Sequence, residues 1–352
     1  MLNPSQKPGL LFVSNNDGSD MRINKEIHTL SKAFDVHFLG IGEASDKSFA
    51  RAHCSSFALV RGPVRSIRSL ANLMYLIVRA RRKMKLKSIQ IVDEQMLAVI
   101  WPALVGRRIV LDVFDSIFLR IDKPNDKLWI VKWMLYSFAS KVIVTDANRQ
   151  ELLASFAKKK SLVIPNVPFR SKASEITKQR QNTLTIAYFG SLAELRGTAF
   201  ARKLLESKLD IRVVCAGWPA DETSVHLLDH PSVEYLGVIK QEEANEFIAR
   251  EADYILSVYP SGNMNNYYAS PNKLYDAIHT RTPLVIGDNV KVSEFVREHG
   301  LGFVVNDLSV SDPATLVKEL IERRESFNID QSLIDRYCWE NYEDELIQVH
   351  SS

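Results

Sequence analysis

The chain has 352 residues, 46% hydrophobic and 25% charged, with a formal net charge of +3, which is the balance of an ordinary globular chain long enough for two domains. Its three cysteines, Cys54, Cys215 and Cys338, are too few and too scattered for a disulfide framework or a zinc site, so each is expected to be a small core residue in a reducing compartment. The charge is unevenly placed: no acidic residue lies between Asp46 and Asp93, while Lys47, Arg51, Arg61, Arg65, Arg68, Arg79, Arg81, Arg82, Lys83, Lys85 and Lys87 are basic.

The opening "MLNPSQKPGLLFVSNN" has no basic region followed by a long apolar run, and no window reaches membrane-spanning length. A protein neither exported nor integral is expected, with a cytoplasmic location. Apolar runs "GLLFVS", "DVHFLG", "SIQIV", "RIVLDVF" and "KVIVTD" then alternate with helical patterns such as 22–33 and 125–139, the mark of βαβ units on a parallel sheet. "FLGIGEAS" carries Gly40 and Gly42, but Ser45 stands where a dinucleotide fingerprint needs its third glycine, which argues against a nicotinamide enzyme.

The stretch "VRSIRSLANLMYLIVRARRKMKLK" sets Ile67, Leu70, Met74, Ile77 and Val78 at helical spacing beside clustered arginine and lysine. Such a helix suits an anionic bilayer, or else packs on the core with a solvated basic end. No nucleic-acid reading motif accompanies it, and nucleic acid is not expected as a partner. Asp112 and Asp115 in "LDVFDS" end a strand and begin its loop; Asp115 could accept a proton from an attacking hydroxyl or could cap the next turn. Asp93 and Glu94 after "SIQIV" are an equivalent pair.

"VIPNVPFRSKASEITKQRQNT" breaks the series and reads as a linker. A second series follows, "LTIAYFG", "IRVVCAG", "VEYLG", "ADYILSVY", "PLVIG" and "LGFVV", with helices that include 241–250 and 291–299. The expected layout is a first Rossmann-like domain over 1–165, a linker over 166–183, a second such domain over 184–328, and a terminal helical stretch over 329–352 that packs back on the first domain. Ligands of open α/β sheets bind beyond the carboxyl ends of the strands, so two facing domains would form a cleft.

In "IAYFGSLAELRG", Gly190 and Gly197 bound a loop with Arg196 at a helix entrance, which suits a diphosphate, or simple turn chemistry. In "SPNKLYDAIHT", Ser270 is read as the N-cap and Pro271 as the first helical residue, with Asn272 and Lys273 in the first turn; this is a second anion site or a surface lysine. Asp276 lies one turn deeper, where a carboxylate could hold two vicinal ribose hydroxyls. His226 and His230 are four apart without further ligands nearby, and no metal site is expected.

The ordered set "YFGSLAELRG", "VVCAG", "VEYLGVIKQEEANEFIAREADYILSVY", "SPNKLYDAIHTRTPLVIGD" and "VSEFVREHGLGFVV" resembles the nucleotide-sugar domain of GT-B glycosyltransferases of the group-1, family-4-like type. In the first half, "DMRINKEIHTLSKAFDVHFLG", "RIVLDVFDSIF" and "ASKVIVTDANRQELLASF…LVIPNV" resemble the acceptor domain of the same family. The resemblance implies an α/β GT-B architecture and transfer of a sugar from a UDP- or GDP-sugar to a hydroxyl of a glycan or lipid-linked glycan of the envelope. It also implies retention and no metal or other cofactor; the basic amphipathic stretch over 61–87, read on its own residues, adds the expectation of a peripheral position on the inner face of the cell membrane.

By that resemblance Arg196 and Lys273 face the donor diphosphate, Ser270 and Asn272 lie near the phosphates, Asp276 holds the ribose, and Gly18 lies where backbone approaches donor and acceptor. Asp115, Arg196 and Lys273 form the expected catalytic set. The chain departs from the family at Tyr268, often a glutamate, at Arg281, usually glycine, and at Ser191, often arginine beside Gly190. Sugar contacts could instead come from Asn263, Asn265 and Asn266. Two other readings stand beside this one: a nucleotide-sugar epimerase of the same fold, and a catalytically silent scaffold.

Overall fold

A computed structural model describes residues 7–63, 66–121, 128–179 and 181–351; Arg65, named above among the basic residues, and residues 125–127 of the expected 125–139 helix lie outside them. The chain forms two compact units, one of 1–166 with 341–352 and one of 167–340.

In the first unit, β1 (Gly9–Val13), β2 (Asp35–Ile41), β3 (Ser56–Val60), β4 (Leu86–Val92), β5 (Ile109–Val113), β6 (Lys141–Val144) and β7 (Ser161–Val163) form a parallel sheet in the order β3-β2-β1-β4-β5-β6-β7. "LLFV" in β1 and "IVLDV" in β5 are buried throughout, as expected of strands covered on both faces. The strand order reverses between β1 and β4, so the loops at their carboxyl ends open beside each other. Helix Met21–Ser31 starts at Asp20, whose carboxylate accepts from the Arg22 and Ile23 N–H groups at 2.8 and 3.3 Å. Helix Ile67–Lys83 buries Leu73, Ile77 and Ala80 on the core; Leu73 and Ile77 each contribute about 1.5–3 kcal/mol, and Ile77→Asp would break the seam.

Arg22 and Asp112 belong to that core, not to a site. Arg22 donates to the Ile164 carbonyl at 2.7 Å, pairs with Asp112 at 3.1 Å and reaches Glu26 at 2.9 Å, all with side chains 2% exposed or less. Gln90 donates to Glu26 at 2.8 Å, and His350 bridges Gln90 and Ser88 at 2.9 and 2.8 Å. The terminal helix Glu343–Ser351 is thereby tied to the first unit, where Glu343 also accepts from Thr29 at 2.9 Å and pairs with Lys32 at 2.6 Å.

In the second unit, β8 (Leu184–Leu192), β9 (Ile211–Pro219), β10 (Val233–Tyr235), β11 (Tyr254–Ser257), β12 (Leu284–Gly287) and β13 (Gly302–Val305) form a parallel sheet in the order β10-β9-β8-β11-β12-β13. Ile186, Tyr188, Val213, Cys215, Leu256 and Val285 fill its core. Residues 167–170 run against 335–340: the Trp339 N–H donates to the Pro168 carbonyl at 2.8 Å, and Arg170 pairs with Asp335 at 2.6 Å. Cys215 and Cys338 are buried thiols, and Cys54 is half-buried. No helix among the described residues is long and apolar enough to cross a membrane.

Candidate functional site

In the second unit, the loops after β8, β9 and β11 lie together at the carboxyl edge of the sheet. Gly190 and Gly217 are register partners in β8 and β9, and a Cβ at Gly217 would lie 1.9 Å from the Gly190 carbonyl oxygen, so the two backbones approach as only glycine permits. A Cβ at Gly190 would meet nothing within 4 Å, so that stretch faces open space, with exposed Ser191 next to it. The following turn is held from beneath. Tyr188 Oη accepts from the Ala193 N–H at 2.9 Å and Asp221 from the Glu194 N–H at 2.7 Å; hydrogen bonds from Ser224 and Glu194 hold the Asp221 carboxyl well below the usual range.

Helix Asn272–Thr280 points its start at this edge. Pro271, not Ser270, is the N-cap, and Asn272 is the first helical residue. Pro271 sits in extended backbone (φ −72°, ψ 129°), which shifts the start one residue onward and leaves the enclosed Ser270 hydroxyl without a hydrogen-bond partner. Asn272 is exposed. Lys273 turns inward, donating to the Leu256 carbonyl at 2.8 Å with its ammonium 5.3 Å from the Tyr188 ring centre. Burial brings its amine down to about 8; Asp276 opposes this and Arg196 adds to it. That coupling gathers Arg196, Lys273 and Asp276 into one cluster. Arg196 is exposed, its guanidinium 6.0 Å from the Tyr259 ring centre, and Asp276 accepts from Gln241 at 3.1 Å.

Asn263 caps the short helix Met264–Tyr267 through the Asn266 N–H at 2.7 Å, and Asn266 donates to the Pro260 carbonyl at 3.1 Å, so these two asparagines shape their own loop. Arg281 closes helix Asn272–Thr280 in the left-handed region (φ 52°), the position a glycine would fill without strain.

In the first unit, Asp93 follows β4 with φ 64°, and its carboxylate accepts from the Phe114 and Asp115 N–H groups at 2.8 and 3.1 Å. Burial pushes it up to about 7, against those two bonds. Glu94 is buried, accepting from Ser116 at 2.9 Å and the Ile117 N–H at 2.7 Å, and holds the next loop in place. Asp115 is half-exposed between Arg120 at 2.9 Å and Arg149 at 3.5 Å. Gly18 is buried with φ 81°, its N–H donating to Asn16 at 2.8 Å and its missing Cβ leaving room for Ala50 and Phe57; it shapes its loop, and that N–H is already engaged. Among the described residues, no three His, Cys, Asp or Glu side chains group as metal ligands would.

Tyr188, Gln241 and Tyr259 are additions that local sequence reasoning missed. Tyr188 sits two residues before Gly190 in "YFG", the one position with a local signal.

Comparison of the sequence with protein-family models gave no match, nor did comparison with curated proteins. Solved structures do match. HepE of Anabaena, in complex with UDP and glucose, is 13% identical with a TM-score of 0.74 over 98% of this chain and 100% of its own. A glycosyltransferase from Rickettsia africae is 12% identical with a TM-score of 0.71 over 98% of each chain. Sucrose-phosphate synthase from Thermosynechococcus elongatus is 13% identical with a TM-score of 0.65 over 97% of this chain and 98% of its own. With two parallel α/β sheets of seven and six strands among its described residues, the chain has the GT-B fold of these glycosyltransferases.

Proposed function

We propose that the chain is a glycosyltransferase that moves a sugar from a nucleoside-diphosphate donor to a hydroxyl of an envelope glycan or lipid-linked glycan. The observation that carries this reading is Lys273, an inward-turned amine coupled to Arg196, at a helix start on the sheet edge where the Gly190 loop faces open space. The similarity to HepE, solved with UDP and with UDP-glucose, supports a UDP-sugar donor.

On this reading Arg196, Lys273 and the first N–H groups of helix Asn272–Thr280 receive the negative charge that grows on the diphosphate as the bond from the sugar C1 breaks. Ser270 would offer its unpartnered hydroxyl to a phosphate oxygen, and Asp276 would accept from the ribose. Ser191 and Asn272, both exposed, would bind the donor from the rim, with Gly18 shaping the loop after β1. The acceptor oxygen forms the new bond to C1 on the face from which the diphosphate departs, so that configuration is retained, and its proton passes to the leaving phosphate oxygen or to a carboxylate on that face. Asp115 is one candidate; Asp93, poised near 7 at the end of a central strand, is the other. Retention and independence of metal are part of the proposal, as is a place on the inner face of the membrane through residues 61–87.

The test is a thermal-shift panel of UDP, GDP, ADP, TDP and CMP with and without magnesium, followed by turnover. A shift with UDP that does not need metal is expected. Asp276→Ala should weaken UDP binding, while Asp115→Asn and Asp93→Asn should bind UDP normally and differ in turnover, which identifies the base. No shift with any nucleotide would sink the donor site, and conversion of the free nucleotide sugar without acceptor would make the chain an epimerase.

A further inference from the structure

Helices Ile67–Lys83, Glu94–Ile100 and Trp129–Phe138 lie side by side on one face of the first sheet and share one core. Trp101 stacks on Phe138 at 5.1 Å, and Arg81 donates to the Val105 carbonyl at 2.8 Å, so the 101–105 turn fills the space between the first helix and the last. Helix Trp129–Phe138 turns Leu135 and Tyr136 inward, yet its outer side is also apolar: Trp129 is 62% exposed, Ile130 57%, Trp133 54% and Met134 41%. Spacings of one, four and five place these four on one stripe. Tyr75 at 64% and Val105 at 57% are further exposed apolar side chains of this helical layer and its turn.

The rim of this surface is cationic. Arg68, Arg79, Arg82, Lys83, Arg107 and Lys132 belong to these helices and the turn, and their acidic residue, Glu94, is buried. Tyr75, Arg79, Arg82, Lys83 and Pro102 line an open depression of about 860 Å³ on the same face. A wide apolar surface marks a docking site, and its cationic rim calls for a negatively charged occupant.

We propose that this face rests on an anionic bilayer, with Trp129, Ile130, Trp133 and Met134 entering the boundary between headgroups and acyl chains. Arg79, Arg82 and Lys83 then meet lipid phosphates. The inference rests on the membrane reading of residues 61–87 and deepens it: the basic helix attracts, and a second helix inserts. Tryptophan suits that depth, because its ring is apolar and its N–H still finds water or a headgroup.

The experiment uses the full chain with vesicles of phosphatidylcholine alone or mixed with phosphatidylglycerol, read by co-sedimentation and by quenching of tryptophan fluorescence with bromine-labelled acyl chains. Binding to the anionic vesicles with quenching is expected. The double variant Trp129→Ser/Trp133→Ser, at two exposed positions, should lower partitioning by at least about tenfold and abolish the quenching. Arg79→Glu/Arg82→Glu should lower it most at low salt. Undiminished binding of the tryptophan variant, or binding without quenching, overturns the proposal. So does a dimer in sedimentation velocity that the same variant dissolves while vesicles are ignored, since a second copy would then cover the face. The UDP thermal shift is measured on every variant: its loss in the unaltered protein strikes the transferase reading alone and leaves the vesicle result standing.

Discussion

Titration of Lys273 should be visible in nucleotide binding. Burial brings its amine from 10.5 down to about 8, with Asp276 opposing and Arg196 reinforcing the change. A bound diphosphate supplies two or more negative charges and keeps the amine protonated, so above pH 8 binding takes up a proton and weakens as the pH rises. With a free-state value of about 8, the Kd for UDP should rise about eightfold between about pH 7.5 and about pH 9, a loss of about 1.2 kcal/mol. Calorimetric titration in two buffers of different ionisation enthalpy measures both the Kd and the proton taken up. Lys273→Arg stays charged and should remove the pH dependence while keeping affinity; Lys273→Gln should bind weakly at every pH. A flat Kd in the unaltered protein, with enthalpies independent of buffer, would refute a diphosphate beside this amine. Folding stability runs the other way: below pH 8 the charged amine is buried at a cost, which fades as the pH climbs toward the unfolded value of 10.5.

Three further results are expected. Arg281→Gly should raise stability by about 1 kcal/mol, because φ 52° strains any residue with a Cβ; a lower melting temperature would mean that the Arg281 bond to Gln331 outweighs the strain. His350 is held down at about 3, chiefly by burial and secondarily by Arg108, so it stays neutral in the fold while the unfolded chain protonates near 6.5. Stability should therefore fall by about 1.4 kcal/mol per pH unit below about pH 6 on its account, and His350→Gln should remove that share of the slope in urea titrations at several pH values. Arg22→Met should cost about 3–5 kcal/mol by leaving Asp112 buried without its cation, beside a Glu26 carboxyl that burial and Asp112 push well above its usual range, and Arg22→Met/Asp112→Asn/Glu26→Gln should recover much of it; no recovery would contradict the ionic account.

The central strands are plain in the chain because a strand covered on both faces is a continuous apolar run, as in "LLFV" and "IVLDV". The strands β3 and β7 escaped for the opposite reason. They are sheet edges, one an exposed alternation in "SFALV" and the other three residues long. Charged residues mislead most. Asp112 looks like a carboxylate at a strand end, but its partner Arg22 is 90 positions away, and no local pattern announces the pairing. Lys273 could be singled out from the helix start, whereas the Tyr188 ring that its ammonium faces comes from β8, more than 80 positions earlier in the chain. Asp93 follows a strand legibly; its positive φ is hidden, since nothing but glycine advertises that backbone. "WIVKWML" reads as apolar on every side, and only burial reveals that Leu135 and Tyr136 face the core while the two tryptophans face out.

The first unit takes its last helix from residues 343–351, while the second unit is one uninterrupted stretch, 167–340. During synthesis, the second unit can therefore close on itself while the first still lacks the side chains that complete it, His350 among them. Ser88 and Gln90 wait for a partner that leaves the ribosome about 260 residues later. At about 5–20 residues per second, that interval lasts tens of seconds, during which the amino-terminal half must stay unaggregated without its closing helix. The unit that begins first in the chain is thus the last to have all of its residues.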